Sequence, residues 1–130
     1  MTPIALIVED DPCVRSFVKD VLENQHFDII EAETEMDGWR FFLEREKDIR
    51  FIFTDVNLKE GNGWHLFKKI RDRSNSPYIV ISSAFPCENK KEFPLGHSSQ
   101  FLLKPFPLDA LIDAAQMAVY PSPHLSPLGE

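Results

Sequence analysis

The sequence has 130 residues, which is enough for one domain with a real hydrophobic core. Its content of 43% hydrophobic and 27% charged residues is typical of a water-soluble globular protein. The net charge of −7 argues against a nucleic-acid interface, which needs clustered lysine and arginine. No apolar run approaches the roughly 20 residues of a membrane span, and no signal-peptide pattern opens the chain. We therefore expect a cytoplasmic protein that binds neither nucleic acid nor membrane.

The first apolar run, Ile4-Ala5-Leu6-Ile7-Val8, predicts a buried parallel strand that stops at three consecutive carboxylates. Asp11 followed by Pro12 fits a helix N-cap and the first helical residue. Glu9 and Asp10 stand before that cap, so capping does not explain them. The helix that follows should end near residues 24–26, and its apolar stripe comprises Val14, Phe17, Val18, Val21 and Leu22.

The second strand and helix carry weaker signals. Residues 28–32 are apolar in the middle and polar at both ends, which predicts a strand at the edge of the sheet. In the helix after it, Met36, Trp39 and Leu43 are expected to form the core face, with Phe41 or Phe42 at its flank.

The third apolar run, Phe51–Thr54, ends at a single carboxylate, Asp55. A lone aspartate in such a place is most often a turn or capping residue. After it come the loop residues 61–63 and a helix that should turn Leu66, Phe67 and Ile70 inward.

The last third of the chain predicts two more strands. Residues 78–81 form a β-rich run that ends at Ser82 and Ser83, and Phe101–Leu103 is a strand that ends at Lys104. Between them, residues 85–99 are expected to be irregular. The final helix should bury a stripe of Leu108, Leu111, Ile112, Ala115 and Val119. We expect one domain over residues 1–120 and a flexible, proline-rich tail over residues 121–130.

Alternating strands and helices predict an α/β fold, with a doubly wound, five-stranded parallel sheet. The carboxyl ends of parallel strands meet at one edge of the sheet, where such folds bind ligands. That edge should gather the polar residues that end four strands, which are Glu9, Asp10, Asp55, Ser82 and Lys104. Carboxylates hold Mg²⁺, and a lysine with a metal neutralises a phosphoryl group. The pattern therefore favours chemistry on a phosphoryl group.

These residues resemble the receiver domain of two-component response regulators. The matching segments are Val8-Glu9-Asp10-Asp11, Thr54-Asp55-Val56-Asn57 with Gly63, Ser82, and Phe101-Leu102-Leu103-Lys104-Pro105-Phe106. The resemblance extends from residue 4 to about residue 119. It implies a flavodoxin-like fold with strand order 2-1-3-4-5. It also implies a signalling switch that accepts a phosphoryl group from a histidine kinase or a phosphotransfer protein.

The resemblance assigns the chemistry to particular residues. Asp55 corresponds to the phosphoacceptor. The metal ligands of the family, which binds Mg²⁺, correspond to Asp10, Asp55 and the main-chain carbonyl of Asn57, with Glu9 acting indirectly. Catalysis would then be limited to the protein's own phosphorylation and dephosphorylation.

Three further positions correspond to the family's switch. Ser82 matches the hydroxyl that bonds the phosphoryl oxygen, and Lys104 matches the lysine that pairs with it. Phe101 falls where the family has a rotating aromatic residue. The Lys104-Pro105 peptide bond is expected to be cis, as in the family. Output would be contact with a downstream protein, and a weak homodimer is compatible with this expectation.

Departures from the family pattern concern the surroundings of the site. Lys59 occupies the place of a frequent proline, and Ser83 replaces a small Ala or Gly. The segment between Pro86 and Pro94, which has room for only one or two helical turns, departs most from the family pattern. In receivers, the helix at this place belongs to the face used for signalling.

Two alternatives remain open. A haloacid-dehalogenase-like phosphatase also uses a strand-end aspartate, Mg²⁺, Ser/Thr and Lys, but it needs a second acid where this chain has Asn57. The other alternative is a pseudo-receiver, an interaction module that is not phosphorylated in use. An idle acidic cluster would cost stability through like-charge repulsion, which disfavours that second reading.

Overall fold

The computed structural model describes residues 2–86 and 95–119, which form one sheet with helices on both faces. The strands are β1 (Ile4–Val8), β2 (Asp28–Ala32), β3 (Ile49–Asp55), β4 (Tyr78–Ser83) and β5 (Ser99–Leu103), all parallel and ordered β2-β1-β3-β4-β5. The described helices are α1 (Pro12–Asn24), α2 (Glu35–Glu44), α3 (Gly63–Arg73) and α4 (Leu108–Val119). The predicted α/β fold and strand order are confirmed.

The sheet is buried on both sides because its strands alternate between two cores. Leu6 and Val8 face the core under α2 and α3, whereas Ala5 and Ile7 face the core under α1 and α4. Every residue of β1 and β4 is buried, which explains the apolar run that fills β1 and the one over residues 78–81 of β4. Within the described residues, no helix combines the length and hydrophobicity that a membrane span requires.

The predicted core face of α2 is wrong at Met36 and Leu43, whereas Trp39 does pack against the core. Phe42 is fully buried, whereas Met36 and Leu43 are 77% and 40% exposed and Trp39 is only partly buried. The reason lies at Gly38, where a β-carbon would come within 2.9 Å of a methyl group of Val8. This close approach to β1 turns the face with residues 38 and 42 inward, since residues four apart share one side of a helix.

The predicted stripe of α1 is correct except at Phe17, and that of α4 is correct except at its two ends. Phe17 is 43% exposed, although its ring lies 6.3 Å from that of Phe106. In α4, Leu108 and Val119 are exposed, and Leu111 packs inward together with two small residues, Ala114 and Ala115. In α3, the predicted inward residues Leu66, Phe67 and Ile70 are all buried.

Several local predictions are confirmed. Asp11 caps α1 by accepting from the backbone amides of Cys13 and Val14, and Pro12 is the first helical residue. The edge strand β2 pairs with β1 alone in the described sheet, and the Lys104-Pro105 bond is cis. The predicted helix between Pro86 and Pro94 and the predicted tail over residues 121–130 lie outside the described residues.

Candidate functional site

The carboxyl edge of the sheet brings the predicted polar residues together. Asp55 ends β3 and is in register with Ser82 of β4, while Glu9 and Asp10 follow directly after β1. One carboxylate oxygen from each of Glu9, Asp10 and Asp55 lies within 4.8 Å of the others. Such a group of hard oxygen ligands suits a divalent cation such as Mg²⁺.

Lys104 joins two of these acids. Its ammonium lies 3.0 Å from Oε1 of Glu9 and 2.9 Å from Oδ1 of Asp55. The backbone fixes this position, because the amide of Lys104 donates to the carbonyl of Ser83 at 2.8 Å. Both carboxylates are almost fully buried, and the lysine keeps 21% exposure. The site therefore has two buried carboxylates and one partly exposed ammonium beside them.

Burial and repulsion raise the pKa values of Glu9 and Asp55, so these two acids hold protons more tightly than usual. Burial raises the pKa of Asp55, the Lys104 hydrogen bond opposes that rise, and repulsion from Asp10 adds to it. Burial also raises the pKa of Glu9, against the Lys104 hydrogen bond and together with repulsion from Asp55. Burial alone would lower the pKa of Lys104, but its two carboxylate partners outweigh burial and raise it. The cluster has three carboxylates and only one lysine in contact with them, so it carries excess negative charge when the carboxylates are ionised.

The Glu9 side chain is held by several neighbours. Its Oε2 accepts from the backbone amide of Asp11 at 3.2 Å, and its Oε1 faces Lys104. The guanidinium of Arg15 donates to the Glu9 carbonyl at 2.8 Å and also pairs with Glu31. Both oxygens of Glu9 therefore have partners within the protein, and Oδ1 of Asp55 shares the same lysine.

The loop after Asp55 folds back tightly over the site. The backbone amide of Asn57 favours the ionised Asp55 carboxylate and opposes the rise of its pKa. The amide of Gly63 donates to the carbonyl of Val56 at 2.9 Å, and a β-carbon at Gly63 would overlap the Asp55 carbonyl. The Asn57 side-chain amide lies 3.5 Å from the Ser83 hydroxyl. Asn57 is thereby held next to the Asp55 carboxylate.

Ser82 and Phe101 lie on neighbouring strands, with Phe101 paired in register to Ile81. The Ser82 hydroxyl donates to the Leu102 carbonyl at 2.8 Å. The Phe101 ring is partly buried and stacks on Trp64, with centroids 6.2 Å apart and planes 4° from parallel. Sequence reasoning missed Trp64 as the partner of Phe101, because an aromatic residue at the start of a helix is ordinarily a core residue.

Glu35 is a second residue that the sequence reasoning missed. It begins α2, and its Oε1 accepts from the backbone amide of Asn62 at 2.9 Å, in the loop between β3 and α3. No strand ends at Glu35, so the pattern that indicated the other site residues could not indicate this one.

The comparison with protein families agrees with this geometry. The family model described as the response regulator receiver domain matches residues 5–116. The chain belongs to this family. Receiver domains act in phosphorylation-dependent signalling and are not classical enzymes, and the family implies interaction with histidine kinases or phosphotransfer proteins.

Individual relatives share sequence with the chain, and a solved structure shares its fold. The chain is 31% identical over 106 residues to the KDP operon transcriptional regulatory protein KdpE of Escherichia coli, covering 82% of the chain and 46% of KdpE. It is 36% identical over 82 residues to a chemotaxis protein CheY homolog of Campylobacter jejuni, covering 60% and 62%. A receiver domain protein from Clostridium thermocellum superposes with a TM-score of 0.75 at 19% identity, covering 90% and 94%. The chain thus spans less than two thirds of either curated relative.

Proposed function

We propose that this receiver is a phosphorylation-dependent switch in which Asp55 accepts a phosphoryl group with the help of Mg²⁺. The observation that carries the proposal is the Asp55 carboxylate at the end of the central strand, paired with Lys104 and close to two further acids. The family assignment supports the reaction type, and the contacts of this chain support the assignment of each residue.

The reaction is a displacement at phosphorus. An oxygen of the Asp55 carboxylate forms a bond to phosphorus as the bond from phosphorus to the donor breaks, and the donor leaves with the electron pair of that bond. Lys104 holds positive charge beside Asp55, where negative charge on the phosphoryl oxygens needs compensation. The Asn57 backbone amide favours the ionised form of the carboxylate, which is the form that attacks phosphorus.

The acidic cluster fits Mg²⁺ because it offers only oxygen ligands and carries excess negative charge. Asp10, Asp55 and the main-chain carbonyl of Asn57 would hold the ion, and Glu9 would support it indirectly through its charge. When bound, Mg²⁺ would neutralise charge on both the carboxylates and the phosphoryl oxygens.

Ser82 and Phe101 are proposed to convert phosphorylation into a change of surface. The Ser82 hydroxyl, now bonded to Leu102, would donate to a phosphoryl oxygen instead. Release of the Leu102 carbonyl and movement of β4 toward the site would alter the space in which Phe101 packs. Contact with a downstream protein would follow from that altered surface.

The phosphodonor is proposed to be a histidine kinase or a histidine-containing phosphotransfer protein. An apolar groove of about 470 Å³ is lined in part by Lys104, the residue whose ammonium contacts Asp55. A donor protein that delivers a phosphohistidine to Asp55 can bury apolar residues there. The groove is lined by Cys13, Val14, Phe17, Ala84, Pro105 and Phe106 as well as by Lys104.

Acetyl phosphate tests the proposal without knowledge of the natural donor. Incubation with acetyl phosphate and Mg²⁺, followed by intact-protein mass spectrometry, should show one added phosphoryl group, and omission of Mg²⁺ should greatly reduce it. A wild-type chain that gains no phosphoryl group in Mg²⁺ would contradict the proposal and favour the pseudo-receiver alternative. The phosphatase alternative is weakened by Asn57, whose amide side chain cannot serve as a general acid.

A further inference from the structure

The start of α2 is bonded to the loop that follows Asp55 through a single residue, Glu35. The backbone amide of Glu35 donates to the carbonyl of Glu60 at 3.0 Å. Its side chain accepts from the backbone amide of Asn62 at 2.9 Å. One residue therefore holds the backbone on both sides of Gly61, and we name these two contacts the Glu35 clamp.

Gly61 shows that the clamp depends on close contact. Its φ of +101° lies in the region that favours glycine, and a β-carbon there would overlap the β-carbon of Glu35. The loop backbone thus lies directly against the first turn of α2. This contact would be lost with any side chain at position 61.

The carboxylate of Glu35 is suited to a lasting hydrogen bond. Its side chain is only 15% exposed, and its Oε2 lies 2.9 Å from the ammonium of Lys69. Burial alone would raise the pKa of Glu35, but the bonds from Lys69 and from the Asn62 amide outweigh burial and lower it. Glu35 is therefore ionised near neutral pH, and a charged acceptor makes a stronger hydrogen bond than a neutral one.

The clamp reaches the proposed metal site through the loop itself. Asn62 forms an antiparallel bridge with Asn57, and the next residue, Gly63, donates to Val56. Asn62 also caps α3 by accepting from the amides of Trp64 and His65. Restraint on Asn62 therefore restrains Asn57, whose carbonyl is proposed to bind Mg²⁺.

We infer that Glu35 is a positioning residue for phosphoryl transfer, which holds the loop of residues 56–63 in the conformation that binds Mg²⁺. This inference rests on the proposed function for its metal and its reaction. It adds a residue on the neighbouring helix that touches neither the metal ligands nor the phosphoryl group.

Magnesium binding tests the inference directly. Isothermal titration calorimetry with Mg²⁺ alone should show about tenfold weaker binding to Glu35→Ala, the scale of one lost charge-assisted hydrogen bond. Glu35→Gln keeps an oxygen acceptor and should recover part of the loss. The matched control is Glu46→Ala, which removes the 2.9 Å ion pair with Arg73 away from the loop and should bind Mg²⁺ like wild type.

Amide hydrogen exchange of the metal-free protein gives a second readout. Exchange over residues 57–62 should be faster in Glu35→Ala than in wild type or Glu46→Ala. Binding is measured where every variant is folded, so a lower melting temperature alone would not change the affinity. If Glu35→Ala fails to fold, the exchange of residues 57–62 in Glu35→Gln can still be compared with that in wild type.

The inference is overturned if Glu35→Ala binds Mg²⁺ within twofold of wild type, if Glu46→Ala loses as much affinity, or if Glu35→Gln recovers nothing. A wild-type chain that binds no Mg²⁺ would overturn it too. A wild-type chain that binds Mg²⁺ but gains no phosphoryl group would refute the proposed function instead, and the affinity comparison would still decide the role of Glu35.

Discussion

The ammonium of Lys104 lies 2.9 Å from Oδ1 of Asp55, the carboxylate proposed to accept a phosphoryl group. The same ammonium lies 3.0 Å from Glu9, so one cation compensates two buried acids. Any group added to Asp55 must change this ion pair. The ion pair with Asp55 therefore links the end of β3 to Lys104, directly after β5. Phe101, which is partly buried, lies in β5 three residues before Lys104.

Removal of Lys104 should destabilise the metal-free protein and make it more dependent on Mg²⁺. Lys104→Ala leaves Glu9 and Asp55 uncompensated, at a cost of about 2 kcal/mol, below the range for a fully buried pair because the lysine is partly exposed. Added Mg²⁺ should restore more stability to this variant than to wild type. Urea unfolding in EDTA and in Mg²⁺ measures both effects.

Lys68→Ala is the control for that measurement. It removes the exposed ion pair with Asp72 and should cost at most about 0.5 kcal/mol. Equal effects of the two substitutions in EDTA would contradict the proposed role of Lys104.

The lowered pKa of Glu35 predicts a pH dependence of stability. The folded state ionises Glu35 more readily than the unfolded chain, so its contribution is present above the ordinary glutamate pKa of about 4.3. That contribution is lost as the pH falls through the lower pKa of the folded state. Wild type should therefore be more stable than Glu35→Gln at pH 7, and the difference should shrink below about pH 4.

Chemical unfolding of both proteins at several pH values, in EDTA, measures this difference. The comparison cancels the titration of the carboxylates that the two proteins share. A stability difference that stays constant or grows as the pH falls to 3 would show that the Glu35 charge does not contribute.

The stacking of Phe101 on Trp64 predicts an optical signal for the switch. If Ser82 turns from Leu102 to a phosphoryl oxygen and Phe101 moves, the emission of Trp64 should change on phosphorylation. A Trp39→Phe background removes the other tryptophan of the chain. Fluorescence after addition of acetyl phosphate measures the change, and Ser82→Ala should reduce it while the phosphoryl mass increment persists. An equal fluorescence change in Ser82→Ala would contradict the proposal that Ser82 couples phosphorylation to the movement of Phe101.

Asn57 should shorten the life of the phosphorylated state. Its short amide side chain is exposed and lies 3.5 Å from the small Ser83, so neither residue shields the phosphorus from water. An amide can also orient an attacking water by hydrogen bonding. We expect the phosphoryl group to last for minutes, not hours, and Asn57→Met to slow its loss. Loss of the adduct after removal of acetyl phosphate, followed by mass, gives both rates, and faster loss in Asn57→Met would contradict the argument.

The acids, Ser82 and Lys104 of the site could be predicted from the sequence because each lies at the carboxyl end of an apolar strand. Parallel strands bring their carboxyl ends to one edge, so Asp55, Ser82 and Lys104 meet although they are distant in sequence. The identity of the side chains then indicated metal and phosphoryl chemistry without any knowledge of distances. The ion pairs of Lys104 with both Glu9 and Asp55 are a geometric detail that this reasoning did not supply.

The helix faces and the Glu35 clamp could not be predicted in the same way. In α2 the apolar residues are spread around the helix, and the close approach of Gly38 to Val8 places Phe42 on the inward face. The clamp requires the positive φ of Gly61 and the placement of α2 against the loop. Both depend on packing between elements that are remote in sequence, which neither hydrophobic periodicity nor strand ends reveal.

The most direct test of the central claim is the site of phosphorylation. Wild type, Asp55→Asn and the control Asp72→Asn, whose substituted residue lies on the exposed side of α3, are incubated with acetyl phosphate and Mg²⁺ and compared by intact mass. We predict one phosphoryl group on wild type and on Asp72→Asn, and none on Asp55→Asn. A full adduct on Asp55→Asn would contradict the assignment of Asp55 as the phosphoacceptor.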